Sequence, residues 1–170
     1  MAPIYHVANQ AQGSAFGTGI PVTTQTRTVM QLYHATSAIK VTEWGVSMNQ
    51  TTAGTPVVCE LIDTGTVGGT MIYAYVANDI TLFTDPKANT PGLSLSTSQS
   101  GWFGTSEALG LGAPIRVGDC QNVAPSNQYI KQFPLGQEFT VPAGNYLRVR
   151  VTGFLGATPN AYAYVNFTIG

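Results

Sequence analysis

Tyr146-Leu147-Arg148-Val149-Arg150-Val151-Thr152 puts Leu147, Val149 and Val151 on one side of an extended chain and Tyr146, Arg148, Arg150 and Thr152 on the other. Successive side chains of a pleated strand point to opposite faces, so this alternation predicts a strand with one core face and one polar face. The preceding Val141-Pro142-Ala143-Gly144-Asn145 has turn chemistry: Pro sets φ, and Gly or Asn accepts a positive φ. Phe139–Val141 and the Tyr146 strand are therefore expected to form a hairpin. Downstream, Ala161, Ala163, Val165, Phe167 and Ile169 alternate with Tyr162, Tyr164, Asn166 and Thr168, predicting another strand paired into a sheet.

Working upstream, Thr26–Tyr33 and Ile39–Met48 read as two longer strands separated by His34-Ala35-Thr36-Ser37. Pro56–Ile62 follows a turn-like segment, and the three are expected to form a meander. Met71–Val76 is a further strand or a short helix, and Ile115–Val117 and Tyr129–Phe133 are short strands. No amphipathic helix long enough for a crossover lies between them, so the expected fold is all-β: an antiparallel β-sandwich, with a jelly roll as first choice. An immunoglobulin-like sandwich is the alternative, weakened because Trp44 precedes Cys59 instead of lying between Cys59 and Cys120.

Two regions lack strand periodicity. Residues 1–25 read as an N-terminal arm or surface segment, leaving 26–170 as a single sandwich domain, a length that buries a sufficient core. Residues 84–112 form a long Gly/Ser/Thr/Pro-rich loop insertion that holds Leu93, Leu95, Trp102, Phe103, Leu109 and Leu111. Long structureless loops are uncommon in compact domains unless they bind something. Trp102, Phe103, Leu109 and Leu111 are therefore the candidate assembly contacts, and a satellite core beneath the loop is the competing reading.

Only 15 of the 170 residues are charged, against 22 Thr and 19 Gly. A soluble domain usually carries roughly 25% charged residues, so this surface must present hydroxyls, amides and apolar groups that cost little to desolvate against a partner. A neutral β-domain kept soluble by those same groups is the plainer alternative. Seven basic residues against eight acidic give a net charge of −1, with the basic residues scattered, so no direct nucleic-acid partner is expected. No secretory leader or membrane-length apolar run is read, which predicts maturation in a cytoplasm with Cys59 and Cys120 reduced. Cys59 reads as a small core residue and Cys120 as following a turn.

The chain carries no pattern for catalysis. His6 and His34 each stand alone, GxSxG, HExxH and P-loop motifs are absent, and no enzyme activity, cofactor or metal is expected. Glu43 and Glu60 fall inside strands and need partners if buried, with Arg148 and Arg150 as the expected ones.

Ile39-Lys40-Val41-Thr42-Glu43-Trp44-Gly45-Val46-Ser47-Met48 through Pro56-Val57-Val58-Cys59-Glu60-Leu61, the segment Ala124–Gly136 and the Leu147–Val151 strand together resemble small structural proteins of tailed bacteriophages. The likeness is to head-decoration or minor capsid proteins of phages that infect actinobacteria, and covers roughly residues 26–62 and 113–169. It implies a non-enzymatic sandwich made in the host cytoplasm that attaches to the outer face of a capsid. The implied partners are the major capsid protein of the same virion and further copies of the chain, a homotrimer favoured, with no membrane partner. Two alternatives share the architecture: a phage tail component, and a carbohydrate- or receptor-binding module using Trp102 and Phe103 as a stacking platform.

Overall fold

The computed structural model describes residues 2–9, 19–50, 54–82, 85–88, 91–104, 107, 113–154 and 159–170. Within them the strands are β1 (Tyr5–Ala8), β2 (Ile20–Pro21), β3 (Arg27–Tyr33), β4 (Ile39–Met48), β5 (Val57–Asp63), β6 (Met71–Ala74), β7 (Ile80–Leu82), β8 (Asp85–Ala88), β9 (Gly101–Gly104), β10 (Arg116–Val123), β11 (Gln128–Gln132), β12 (Phe139–Val141), β13 (Tyr146–Thr152) and β14 (Asn160–Ile169). They form two antiparallel sheets. One has the order β11-β4-β14-β1-β7-β8, with β12 also on β4 and β2 also on β14; the other has the order β10-β5-β13-β3-β9-β6.

The alternating positions read from the sequence face one shared core. Leu147, Val149 and Val151 of β13 pack with Val41, Trp44 and Val46 of β4 and with Ala163, Val165 and Phe167 of β14, all essentially buried. Burying apolar side chains from both inner faces is the main term holding a sandwich together, at roughly 1.5–3 kcal/mol for each large side chain. Trp44 is fully buried and links the two sheets: its indole N–H donates to Asp119 Oδ2 at 3.2 Å, and the Tyr129 hydroxyl donates to the same oxygen at 2.7 Å. Burial, reinforced by the bond to Asp119, pushes the Tyr129 phenol up to about 12.

Several expected connections are corrected. The turn at Pro142–Asn145 forms, with Asn145 N–H donating to Pro142 O and Gly144 at φ 78°. It is an arch rather than a hairpin, because β12 pairs with β4 while β13 lies in the other sheet between β3 and β5. Nor do β3, β4 and β5 form a meander: β3 and β5 belong to one sheet and β4 to the other. Turn residues specify a reversal of direction but not whether the chain stays in its sheet.

The expected arm over residues 1–25 is also corrected where it is described. Tyr5–Ala8 is inserted between β14 and β7, and Ile20–Pro21 pairs with the start of β14. The expected loop at 84–112 contains β8 and β9, and Leu93 is 6% exposed within the core cluster. Met71–Ala74 is a strand, and the β10 strand extends well beyond Ile115–Val117 to Val123. Cys59 is buried as expected, whereas Cys120 is exposed within β10 rather than at a turn.

Candidate functional site

The two outer faces of the sandwich differ in kind. On the sheet centred on β13, Arg148 and Arg150 point away from the core but are 1% and 9% exposed, because the chain after β5 and the segment around β9 cover them. Glu107 holds both guanidinium groups: Arg148 Nη1 donates to Oε1 and Arg150 Nη1 to Oε2, each at 3.0 Å. Arg150 Nη2 also donates to Glu60 Oε2 at 3.1 Å, and Arg148 Nη2 to Val67 O at 3.0 Å. The Thr28 hydroxyl donates to Glu107 as well. Burial pulls the Arg148 guanidinium below its ordinary range, and the Glu107 carboxylate opposes that pull. Beside this network Gln31, fully buried, bonds the backbone of Gly69 and Gln99. This face is an internal seam that fastens the covering segments to the sheet.

The β9-β6 end of this same sheet carries the aromatic residues singled out in the sequence. β9 pairs with β3 and β6, placing Trp102 opposite Met30 and Tyr73. Tyr73 stacks on the indole with centroids 4.4 Å apart and planes 25° off parallel. One face of Trp102 is thus already occupied, and the ring left open is Tyr73, 48% exposed. Phe103 has φ 66°, a left-handed conformation that a bulky residue rarely adopts, and Arg27 sits 5.3 Å from its ring centroid. Ile72 and Val76 are exposed beside Tyr73 at 42% and 56%. β6 ends its sheet, and among the described residues no strand pairs with its outer side. Leu109 and Leu111, the other two candidate contacts, lie outside the described residues.

The outer face of the other sheet is open and polar-aromatic. Strand register aligns Gln132, Glu43, Asn166, His6 and Thr81 in one row across five strands. The adjoining row runs Ile130, Gly45, Tyr164 and Ala8. Glu43 Oε1 accepts from the Tyr164 hydroxyl at 2.7 Å and from Asn166 Nδ2 at 3.1 Å, and Oε2 accepts from Gln132 Nε2 at 2.7 Å. His6 Nδ1 lies 2.7 Å from Asn166 Oδ1. Burial, aided by the bond to Glu43, drives the Tyr164 phenol far up. Two depressions, of about 230 and 220 Å³, flank this network. His6, Gln128, Ile130, Tyr162 and Tyr164 line the first, and Thr42, Glu43, Gln132, Phe133 and Asn166 the second.

The expected partnering of the strand carboxylates is half met. Glu60 does pair with Arg150, but among the described residues Glu43 has no arginine and is satisfied instead by hydrogen bonds from Tyr164, Asn166 and Gln132 on its own sheet. His6 and Asn166 were not signalled as a cluster by sequence spacing, since 160 positions separate them. Among the described residues no group of three or more His, Cys, Asp or Glu is arranged to hold a metal ion, and no helix is long and apolar enough to cross a membrane. Searches of family models, curated proteins and solved structures found no match to this chain.

Proposed function

We propose that this chain is a non-enzymatic structural protein of a virion, binding the outer face of an assembled phage shell and reinforcing it. The observation that carries the reading is β6, an uncharged strand that ends its sheet among the described residues, where Ile72, Tyr73 and Val76 stand exposed beside the Tyr73–Trp102 stack. An unprotected edge offers unpaired backbone groups to a neighbouring chain, and proteins that must stay monomeric usually block such edges with charge. Apolar and aromatic side chains next to it supply the desolvated centre of an interface. The left-handed Phe103 beneath fits a strained residue held at a working surface. A charge-poor exterior suits repeated contacts on a lattice, where weak sites add through effective concentration. The resemblance of residues 26–62 and 113–169 to decoration proteins points the same way. The phage-like attachment, the capsid partner, the trimer and a jelly-roll topology for the sandwich all belong to this proposal.

Titration of the purified chain onto shells lacking it tests the reading, with occupancy read by gel densitometry and cryo-electron microscopy. Saturable occupancy is expected, with Ile72, Tyr73 and Val76 in contact. Tyr73→Asp should lower occupancy at least tenfold while leaving the unfolding midpoint within about 2 °C, as expected of a surface change. Full occupancy by a Tyr73→Asp/Val76→Lys variant, or no binding by the native chain, rejects the proposal.

A further inference from the structure

We infer that the outer face of the sheet centred on β14 is a saccharide-binding site, in which Tyr164, His6, Glu43 and Gln128 recognise a neutral sugar at the two adjoining depressions. This inference is independent of shell attachment, because it uses the opposite face of the sandwich from the β6 edge and none of its residues.

The chemistry of the lining selects the ligand. Asn166 turns its Nδ2 toward Glu43, so its Oδ1 faces His6 and can only accept. His6 Nδ1 must then carry the proton, which leaves Nε2 of the neutral ring as an acceptor. The Tyr164 hydroxyl spends its proton on Glu43 and keeps acceptor capacity, as does Glu43 Oε2 after accepting from Gln132. Three acceptors held in one network, His6 through Asn166 and Tyr164 directly on Glu43, therefore line the two depressions, His6 and Tyr164 the first and Glu43 the second. Such an array calls for a ligand rich in hydroxyl donors.

Around the acceptors lie apolar surfaces: the Tyr164 ring, Ile130 at 52% exposure, and Phe133 in the second depression. A sugar presents hydroxyls at its rim and C–H groups on its faces, matching a site with a few fixed polar groups among aromatic and aliphatic walls. Each depression is shallow and suits a single ring, so the pair suits two linked units. No lysine or arginine lines either depression, and the one carboxylate opposes anions, which disfavours phosphates and nucleic acid. A peptide added as a strand is also disfavoured, because β4, β14 and β1 have their backbone groups paired on both sides. Recognition here has to run through side chains.

The test is a ¹H–¹⁵N titration of the full chain with methyl glycosides of glucose, galactose, mannose and N-acetylglucosamine and with their short oligomers. Saturable shifts are expected at the amides of Ala8, Gly45, Ser47 and Tyr164 with at least one sugar. Tyr164→Phe, which keeps the ring but frees Glu43, should weaken binding at least fivefold, and Gln128→Ala, at an exposed rim position, about threefold. Trp102→Ala should leave the affinity unchanged. Absence of shifts with every sugar, shifts that survive both lining substitutions, or sensitivity to Trp102→Ala would overturn the inference. So would saturable binding of a basic peptide with no response to any glycoside.

Discussion

Tyr164 lies flat across Gly45 on the neighbouring strand, its ring filling the space that a β-carbon at position 45 would need, with Cζ only 2.8 Å from that point. The glycine leaves bare backbone in mid-strand, and the aromatic ring covers it while its hydroxyl reaches Glu43. Gly45→Ala should lift the ring, break the bond to Glu43 and cost about 1–3 kcal/mol, the usual range for overpacking. Urea unfolding measures this. A Gly45→Ala/Tyr164→Ala double variant should lose less than the sum of the two single changes, because the clash and the contact it destroys are one interaction.

Glu107 pairs with both Arg148 and Arg150. Glu107→Ala leaves a nearly buried guanidinium at Arg148 without its counter-charge, and removing one partner of a buried pair costs about 3–5 kcal/mol. Denaturant titration should show that loss. Amide exchange should also accelerate at Gly101–Gly104, because the same carboxylate anchors the chain just after that strand to Thr28 and both arginines.

Tyr75 is 1% exposed, and its hydroxyl has no hydrogen-bond partner among the described residues. Burial accordingly drives this phenol well above its ordinary range. Tyr75→Phe removes the unsatisfied group and keeps the ring, so a gain of about 1 kcal/mol is expected. A loss of stability in thermal unfolding would contradict the assigned environment.

Alkaline stability follows from Cys59 and Tyr129. Burial first, then the nearby Cys120 and Glu60, pushes the Cys59 thiol up to about 12. The unfolded thiol ionises near about 8.5. The folded state is thus favoured fully below that pH, and the contribution is lost as pH rises toward 12. Tyr129, also raised to about 12, adds to the loss above its unfolded value of about 10. The urea midpoint should hold flat to about pH 8.5 and then decline, less steeply for Cys59→Ala. At neutral pH a thiol reagent should modify Cys120 in the native protein and Cys59 only on unfolding.

Strand existence was legible because β13 and β14 alternate without interruption, and the face each side chain takes follows directly from that period. Which sheet a strand joins was not legible. The Pro142–Asn145 turn has the same residues whether it closes a hairpin or arches between sheets, and only the core contacts of Leu147 and Val149 decide. Tyr5–Ala8 escaped notice because four residues, one of them buried, carry too little pattern. Of the candidate contacts, Trp102 was legible as a large apolar residue in a polar segment, but not its stacking on Tyr73. The row from Gln132 to His6 was hidden, since its members lie on separate strands and only register brings them together.

The placement of β14 has a consequence for synthesis. It sits between β4 and β1, just as β13 sits between β3 and β5, so each sheet stays in two separate groups of strands, β11-β4 apart from β1-β7-β8 and β10-β5 apart from β3-β9-β6, until these late segments leave the ribosome. The nascent chain must hold one edge each of β1, β3, β4 and β5 unpaired until then, and loop closure over such separations is slow. A premature stop before Asn160 would therefore remove a central stave, not a fringe, and expose two apolar strand edges to aggregation.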